Sequence, residues 1–157
     1  MIGDVIARGI DFCVLHPFTV YTMIMRAVRS LCNSGNVLIR KFNMCALEVK
    51  CSLFRTFCYP LYTCSLWSRY NVATMYRLKV AYNNVLRRLT GVPPWESART
   101  MFVSHGVRSL EENRRYAAYG LWQRTLSGDN ELLATQANSD AAVNSSQCLH
   151  WRNILFL

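Results

Sequence analysis

Ile24, Val28, Leu31, Gly35, Leu38 and Phe42 recur at steps of four, three, four, three and four, the rhythm of one face of a helix. Arg26, Arg29, Asn33, Asn36 and Arg40 keep the same rhythm on the opposite face. Gly35 lies on the apolar side, where it costs about 1 kcal/mol of helix propensity against Ala. A glycine there lets a second helix come close. A second helix fits residues 46–59. Leu47, Cys51, Phe54 and Cys58 form one stripe that points on to Leu61, and Val49, Leu53 and Phe57 form another. Only Glu48, Ser52 and Arg55 make a polar line, so this helix is expected to be buried on most sides. Pro60 must kink or end it, because the proline ring clashes with the preceding turn. Residues 61–67 continue as a short helical or extended piece.

The third helix runs from Asn71 or Val72 to Thr90, with Met75, Leu78, Tyr82, Val85 and Leu89 inward. Gly91 stands where a left-handed cap belongs, and Pro93-Pro94 forbid continuation. A fourth, short helix fits Ser97–Ser104, closed by Gly106. The fifth opens on the capping box Ser109-Leu-Glu-Glu112 and runs to about Leu126, with Leu110, Ala117 and Leu121 inward. Residues 135–147 have the composition of a linker, and the last ten turn apolar again. No internal repeat and no alternating strand pattern interrupts this series. The fold class is therefore all-α: a small bundle of about five helices over 26–127, a divergent segment over 1–25, and a polar linker with an apolar tail over 128–157.

Charge changes the picture. Between Phe12 and Trp95 eleven Arg or Lys accompany a single acidic residue, Glu48, whereas from Glu96 onward there are six of each. The net charge of +9 thus lives in one contiguous segment. Arg outnumbers Lys fifteen to three, which suits bidentate phosphate contacts; an arginine-rich solvated face is the alternative reading. On the third helix Lys79, Asn83 and Arg87 align at four-residue spacing, and Arg77, Asn84 and Arg88 make an adjacent line. The face has four cations and no carboxylate. A solvated helix face usually mixes both signs, because opposite charges four apart stabilise it. An external anion, nucleic acid above all, is the partner this face suits, and Asn and Arg bond both phosphate and sugar.

Catalytic chemistry finds little support. The chain has three His, and Ser104-His105 are adjacent at a helix end, the wrong placement for a nucleophile and its base. No phosphate-binding glycine loop or nucleophile elbow occurs. Glu111-Glu112 belong to the capping box, and the Asp residues are scattered, so no two-metal site is expected. The seven cysteines contain no C-x-x-C pair. Cys45, Cys51, Cys58 and Cys64 read as reduced thiols on buried helix faces, in a reducing compartment. Residues 12–25 are broken by His16-Pro17 and fall short of the ~18 apolar residues a membrane span needs. The expectations are an intracellular protein of cytoplasm or nucleus, with no membrane, no cofactor and no enzymatic activity.

At these residues the chain resembles the region just C-terminal to the catalytic palm in reverse transcriptases of LINE-type (non-long-terminal-repeat) retrotransposons. The resemblance runs through "NVLIRKFNMCALEVKCSLFRTFCYPLYTCSLW" (36–67), "RLKVAYNNVLRRLTGVPPWESARTMFV" (77–103) and "GVRSLEENRRYAAYGLWQRTLS" (106–127). It implies a truncated, thumb-like helical piece without its catalytic module, since the polymerase Asp pair of the family lies upstream on the palm and has no counterpart here. It also implies that Arg77, Lys79, Asn83, Asn84, Arg87 and Arg88 sit on the helix nearest RNA or an RNA–DNA hybrid. The competing readings are a helical protein-interaction or self-associating module, which exposure of Trp67, Trp95, Trp122 and Trp151 would favour, and a translated relic without function.

Overall fold

The computed structural model of the chain describes residues 17–59, 61, 64, 71–127 and 135, and the account below concerns these. The divergent segment before Pro17, the piece over 61–67 apart from Leu61 and Cys64, and the linker and apolar tail apart from residue 135 lie outside them. The five helices are α1 (Pro17–Lys41), α2 (Leu47–Cys58), α3 (Val72–Thr90), α4 (Ala98–Ser104) and α5 (Leu110–Ser127). Among the described residues there is no strand, and the protein is all-α.

The described residues fall into two units. Residues 21–59, 61 and 71–113 form the first; 17–20, 64, 114–127 and 135 belong to the second. In the first, Ile24, Leu31 and Leu38 of α1 are buried as their spacing predicts. Val28 and Phe42, at the margins of that stripe, are half-buried. Gly35 does what its position suggests. A Cβ built on it would lie 2.5 Å from Cγ1 and 2.9 Å from Cγ2 of Val85, so α1 and α3 touch at a distance only glycine permits. The helix begins earlier than its apolar rhythm, at Pro17, where a proline is tolerated because its missing N–H has no intrahelical partner.

α2 stops at Cys58 with Tyr59 as its cap, just ahead of Pro60 as expected. It differs from expectation in burial. Cys51, Phe54 and Cys58 are buried, but Leu47 and Val49 are exposed, Phe57 is 56% exposed, and Leu53 is half-buried. A short helix that packs by one face leaves its second apolar stripe outside. The inner stripe feeds a chain of rings. Phe54 meets Tyr59 edge-on at 6.2 Å and Tyr82 at 5.2 Å, and Tyr82 stacks on Phe102 of α4 at 5.9 Å.

The helix ends follow local rules closely. Asn71 caps α3 by accepting from the Ala73 N–H at 2.8 Å. Gly91 closes it in the left-handed region at φ 77°, and its N–H reaches the Arg87 carbonyl at 2.8 Å. Gly106 takes φ 59° after α4. The capping box of α5 closes in both directions: the Ser109 N–H donates to Glu112 at 2.7 Å, and the Glu112 N–H to Ser109 Oγ at 3.3 Å. Along α5 the buried line is Leu110, Asn113, Arg114 and Ala118, rather than Leu110, Ala117 and Leu121; the last two are half-buried. Asn113 is tolerated inside because its amide donates to the Tyr59 carbonyl at 2.9 Å, which removes the desolvation penalty.

Of the thiols, Cys51, Cys58 and Cys64 are buried, while Cys45 and Cys32 are half-buried; Cys45 thus departs from expectation because it sits in the turn after α1 rather than on α2. Burial pushes the Cys58 thiol up to about 12, and it raises Cys51 against the opposing pull of the Arg55 charge. The thiolate is the reactive form. Alkylation of the native chain at pH 8 is therefore expected to modify Cys32 and Cys45 well before Cys51 and Cys58, with the difference lost in denaturant. Mass spectrometry of partly labelled peptides reads this directly, and equal native rates at Cys45 and Cys58 would contradict the burial of α2.

Candidate nucleic-acid interface

α3 is a helix from Val72 to Thr90 whose buried side carries Leu78, Tyr82, Val85, Leu86 and Leu89. Its polar residues are therefore fixed on the other side by the 3.6-residue repeat. The six candidates do not, however, share one environment.

Lys79 and Asn83 line a recess with Arg99 and Arg108, and with Glu111 and Glu112 at the start of α5. Lys79 Nζ lies 2.8 Å from Glu111, both side chains about half exposed. An exposed pair of this kind contributes little, about 0–1 kcal/mol. It nevertheless corrects the reading of α3 as a helix with unbalanced charge: the carboxylate missing from its own sequence arrives from α5, 32 positions on. Asn83 is half-buried beside it.

Arg87 is the larger correction. Its guanidinium donates to the Pro93 carbonyl at 2.7 Å and to the Glu96 carbonyl at 2.7 Å, and the side chain is half-buried. The turn through Gly91 and Pro93-Pro94 swings the chain back over the last turn of α3, and Arg87 holds it there. Arg87 is a clamp on the α3–α4 connection. Arg55 plays a matching part on α2, donating to the His105 and Gly106 carbonyls at 3.3 and 3.0 Å.

Arg77, Asn84 and Arg88 remain together. They line a groove of about 1050 Å³ with Cys32 and Asn36 of α1, with Tyr76, Val80, Ala81, Val85 and the clamping Arg87 of α3, and with Gly91 to Pro94 beyond it. Among the described residues no carboxylate lines it. Arg77 and Asn84 are exposed. Arg88 is exposed as well, and one of its nitrogens donates to Asn36 Oδ1 at 3.3 Å. The close α1–α3 approach at Gly35 brings to this groove Asn36, a member of the polar line that includes Arg26, Arg29, Asn33 and Arg40. Cys32 and Asn36 are the members that a reading of α3 alone does not find. The signal for Asn36 was its place one residue after Gly35 on the face opposite the apolar stripe.

Ser104 and His105 approach more closely than their adjacency suggests. Ser104 Oγ is 2.8 Å from His105 Nδ1, but Nδ1 is also 2.8 Å from the Met101 carbonyl, and Ser104 Oγ turns to that carbonyl at 3.2 Å. A proton on Nδ1 shared with a carbonyl leaves no lone pair there to accept from the serine. The three groups close the end of α4. Among the described residues no three His, Cys, Asp or Glu side chains could hold a metal ion together, and no helix is long and apolar enough to cross a membrane.

Compared with known proteins, the chain matches no family model, no curated protein and no solved structure.

Proposed function

We propose that this chain is a non-catalytic helical module that holds RNA or an RNA–DNA hybrid by its backbone, of the kind that follows the palm in LINE-type reverse transcriptases. The observation that supports it is the groove lined by Arg77, Asn84, Arg87 and Arg88, with no carboxylate among the described residues of its walls. A surface that gathers cations without balancing them stabilises a polyanion, and the asparagines on both walls add hydrogen bonds to phosphate or sugar. Lys79 and Asn83 form a second, charge-balanced site of lesser weight, and Arg87 supports the interface by holding the connection that ends it. The protein works inside the cell, in cytoplasm or nucleus, where its thiols stay reduced. A helical protein-interaction or self-associating module is the second reading; it draws on Trp95, 87% exposed, and on the outer stripe of α2 around Phe57.

A salt series decides between them. Each phosphate neutralised lowers log affinity against log salt by about 0.7–0.9. The Arg77→Gln/Arg88→Gln variant is expected to keep its melting temperature, because neither side chain is buried, and to reduce the slope by about 1.4–1.8 for a labelled RNA and for an RNA–DNA hybrid. Arg87 is left intact, since its loss would disturb the fold and confound the reading. An unchanged slope in the double variant makes this face merely solvated and favours the protein-interaction reading.

A further inference from the structure

The groove carries more apolar surface than phosphate binding needs. Tyr76 and Val80 line it at a four-residue step along α3 and are 64% and 37% exposed, and Val72, 78% exposed, stands one turn before them outside the lining. Val80, Ala81 and Val85 line the same groove as Arg77 and Arg88, and so does Tyr76. Arg77 and Arg88 lie eleven residues apart, about 16 Å along the helix axis at 1.5 Å per residue. Tyr76 precedes Arg77 directly in the chain, so an aromatic face and a guanidinium are offered at one end of this span.

A duplex turns phosphates outward and keeps its bases stacked inside. It would satisfy the arginines and leave Tyr76 and Val80 in contact with nothing that gains from leaving water. A single strand offers both chemistries at once: phosphates for the cations and open base faces for the ring and the aliphatic floor. We infer that this groove takes a single-stranded nucleic acid, with phosphates at Arg77 and Arg88 and a base stacked on Tyr76. The inference rests on the nucleic-acid reading above and narrows it to a strand whose bases are free.

The test uses the full chain and polarisation binding of three labelled probes: an oligodeoxythymidine, an oligomer of the same length with abasic positions, and the oligodeoxythymidine paired with oligodeoxyadenosine. The thymidine strand is expected to bind tightest. Tyr76→Ala is expected to weaken it by about tenfold, within the range for one stacked base, with the abasic probe and the salt slope unmoved; Tyr76→Trp is expected to restore it. Tyr76 is exposed, so the melting temperature should not follow. Equal binding of the thymidine and abasic strands, a preference for the duplex, or indifference to Tyr76→Ala overturns the single-strand assignment. If the slope still responds to Arg77→Gln/Arg88→Gln in that case, the broader nucleic-acid reading stands. No binding of any probe also overturns the single-strand assignment; a flat slope for the RNA and the RNA–DNA hybrid as well ends both.

Discussion

Cutting Phe54 back to Ala is expected to destabilise the protein by about 3–5 kcal/mol, the usual cost of emptying a phenylalanine site in a core. Phe54 is fully buried and stands at the centre of the ring series, 5.2 Å from Tyr82 at 69° and 6.2 Å from Tyr59 at 86°. Both are edge-to-face geometries, each worth about 0.5–1.5 kcal/mol beyond area burial. The site cannot collapse easily. Tyr82 is held from its far end, where its hydroxyl donates to the Arg108 carbonyl at 3.0 Å, and Tyr59 is held by its hydroxyl's contact with the Arg108 N–H. A domain's whole stability is about 5–15 kcal/mol, so this one change removes a large part of it. Urea unfolding of the full chain measures it, with Phe54→Leu expected to cost far less. A loss below about 1 kcal/mol for the alanine variant, against that core-truncation range, would mean the ring series does not carry the packing of α2 on α3.

The second large effect is expected at Gly35, and its sign opposes helix propensity. Leucine is a far better helix former than glycine, by about 0.8–1 kcal/mol, yet Gly35→Leu is expected to destabilise by about 3 kcal/mol, the upper end of the overpacking range. The first added atom would already sit 2.5 Å from a methyl of Val85. Val85 is β-branched, with one strongly preferred rotamer in a helix, and is buried, so it has nowhere to turn. Helix α1 must move outward, and Asn36 must leave Arg88. The variant is therefore expected to lose nucleic-acid affinity along with stability. Pairing Gly35→Ala with Val85→Ala separates the causes: the two substitutions share one contact, so the double variant should be more stable than the sum of the singles predicts. Strict additivity would show that the close approach is not what Gly35 is for.

What could be read in advance followed from the range of the interactions involved. Gly91, Gly106 and the Ser109–Glu112 box act within one turn of their own helix, and each stands in the structure as the sequence places it. The apolar rhythm of α1 and α3 likewise marked their buried sides, although Met75, near the start of α3, is half-buried rather than inward. The outer stripe of α2 was misjudged because Val49, Leu53 and Phe57 are apolar in sequence whether or not a neighbour covers them. The candidate interface was legible as a helix face and illegible as a site. Nothing local to Arg87 distinguishes it from Arg88: one turns to the Pro93 and Glu96 carbonyls and the other to Asn36. The difference is made by a turn that folds back and by a helix that crosses at Gly35. Lys79 is the same lesson in charge, since its partner Glu111 is reached only through the fold.

The clamp at Arg87 has a consequence for how such a chain would age. Suppose a copy of this sequence accumulates substitutions under pressure only to stay folded. Arg77 and Arg88, exposed and marginal to stability, would be free to drift, and the groove would lose its charge early. Arg87, bonded to two carbonyls at 2.7 Å, would be retained with the glycine and prolines it fastens. A descendant that has kept Arg87 together with the Leu-Thr-Gly-Val-Pro-Pro run of residues 89–94 thus testifies to an architecture still being selected. Only the persistence of cations at 77 and 88 would testify to a ligand.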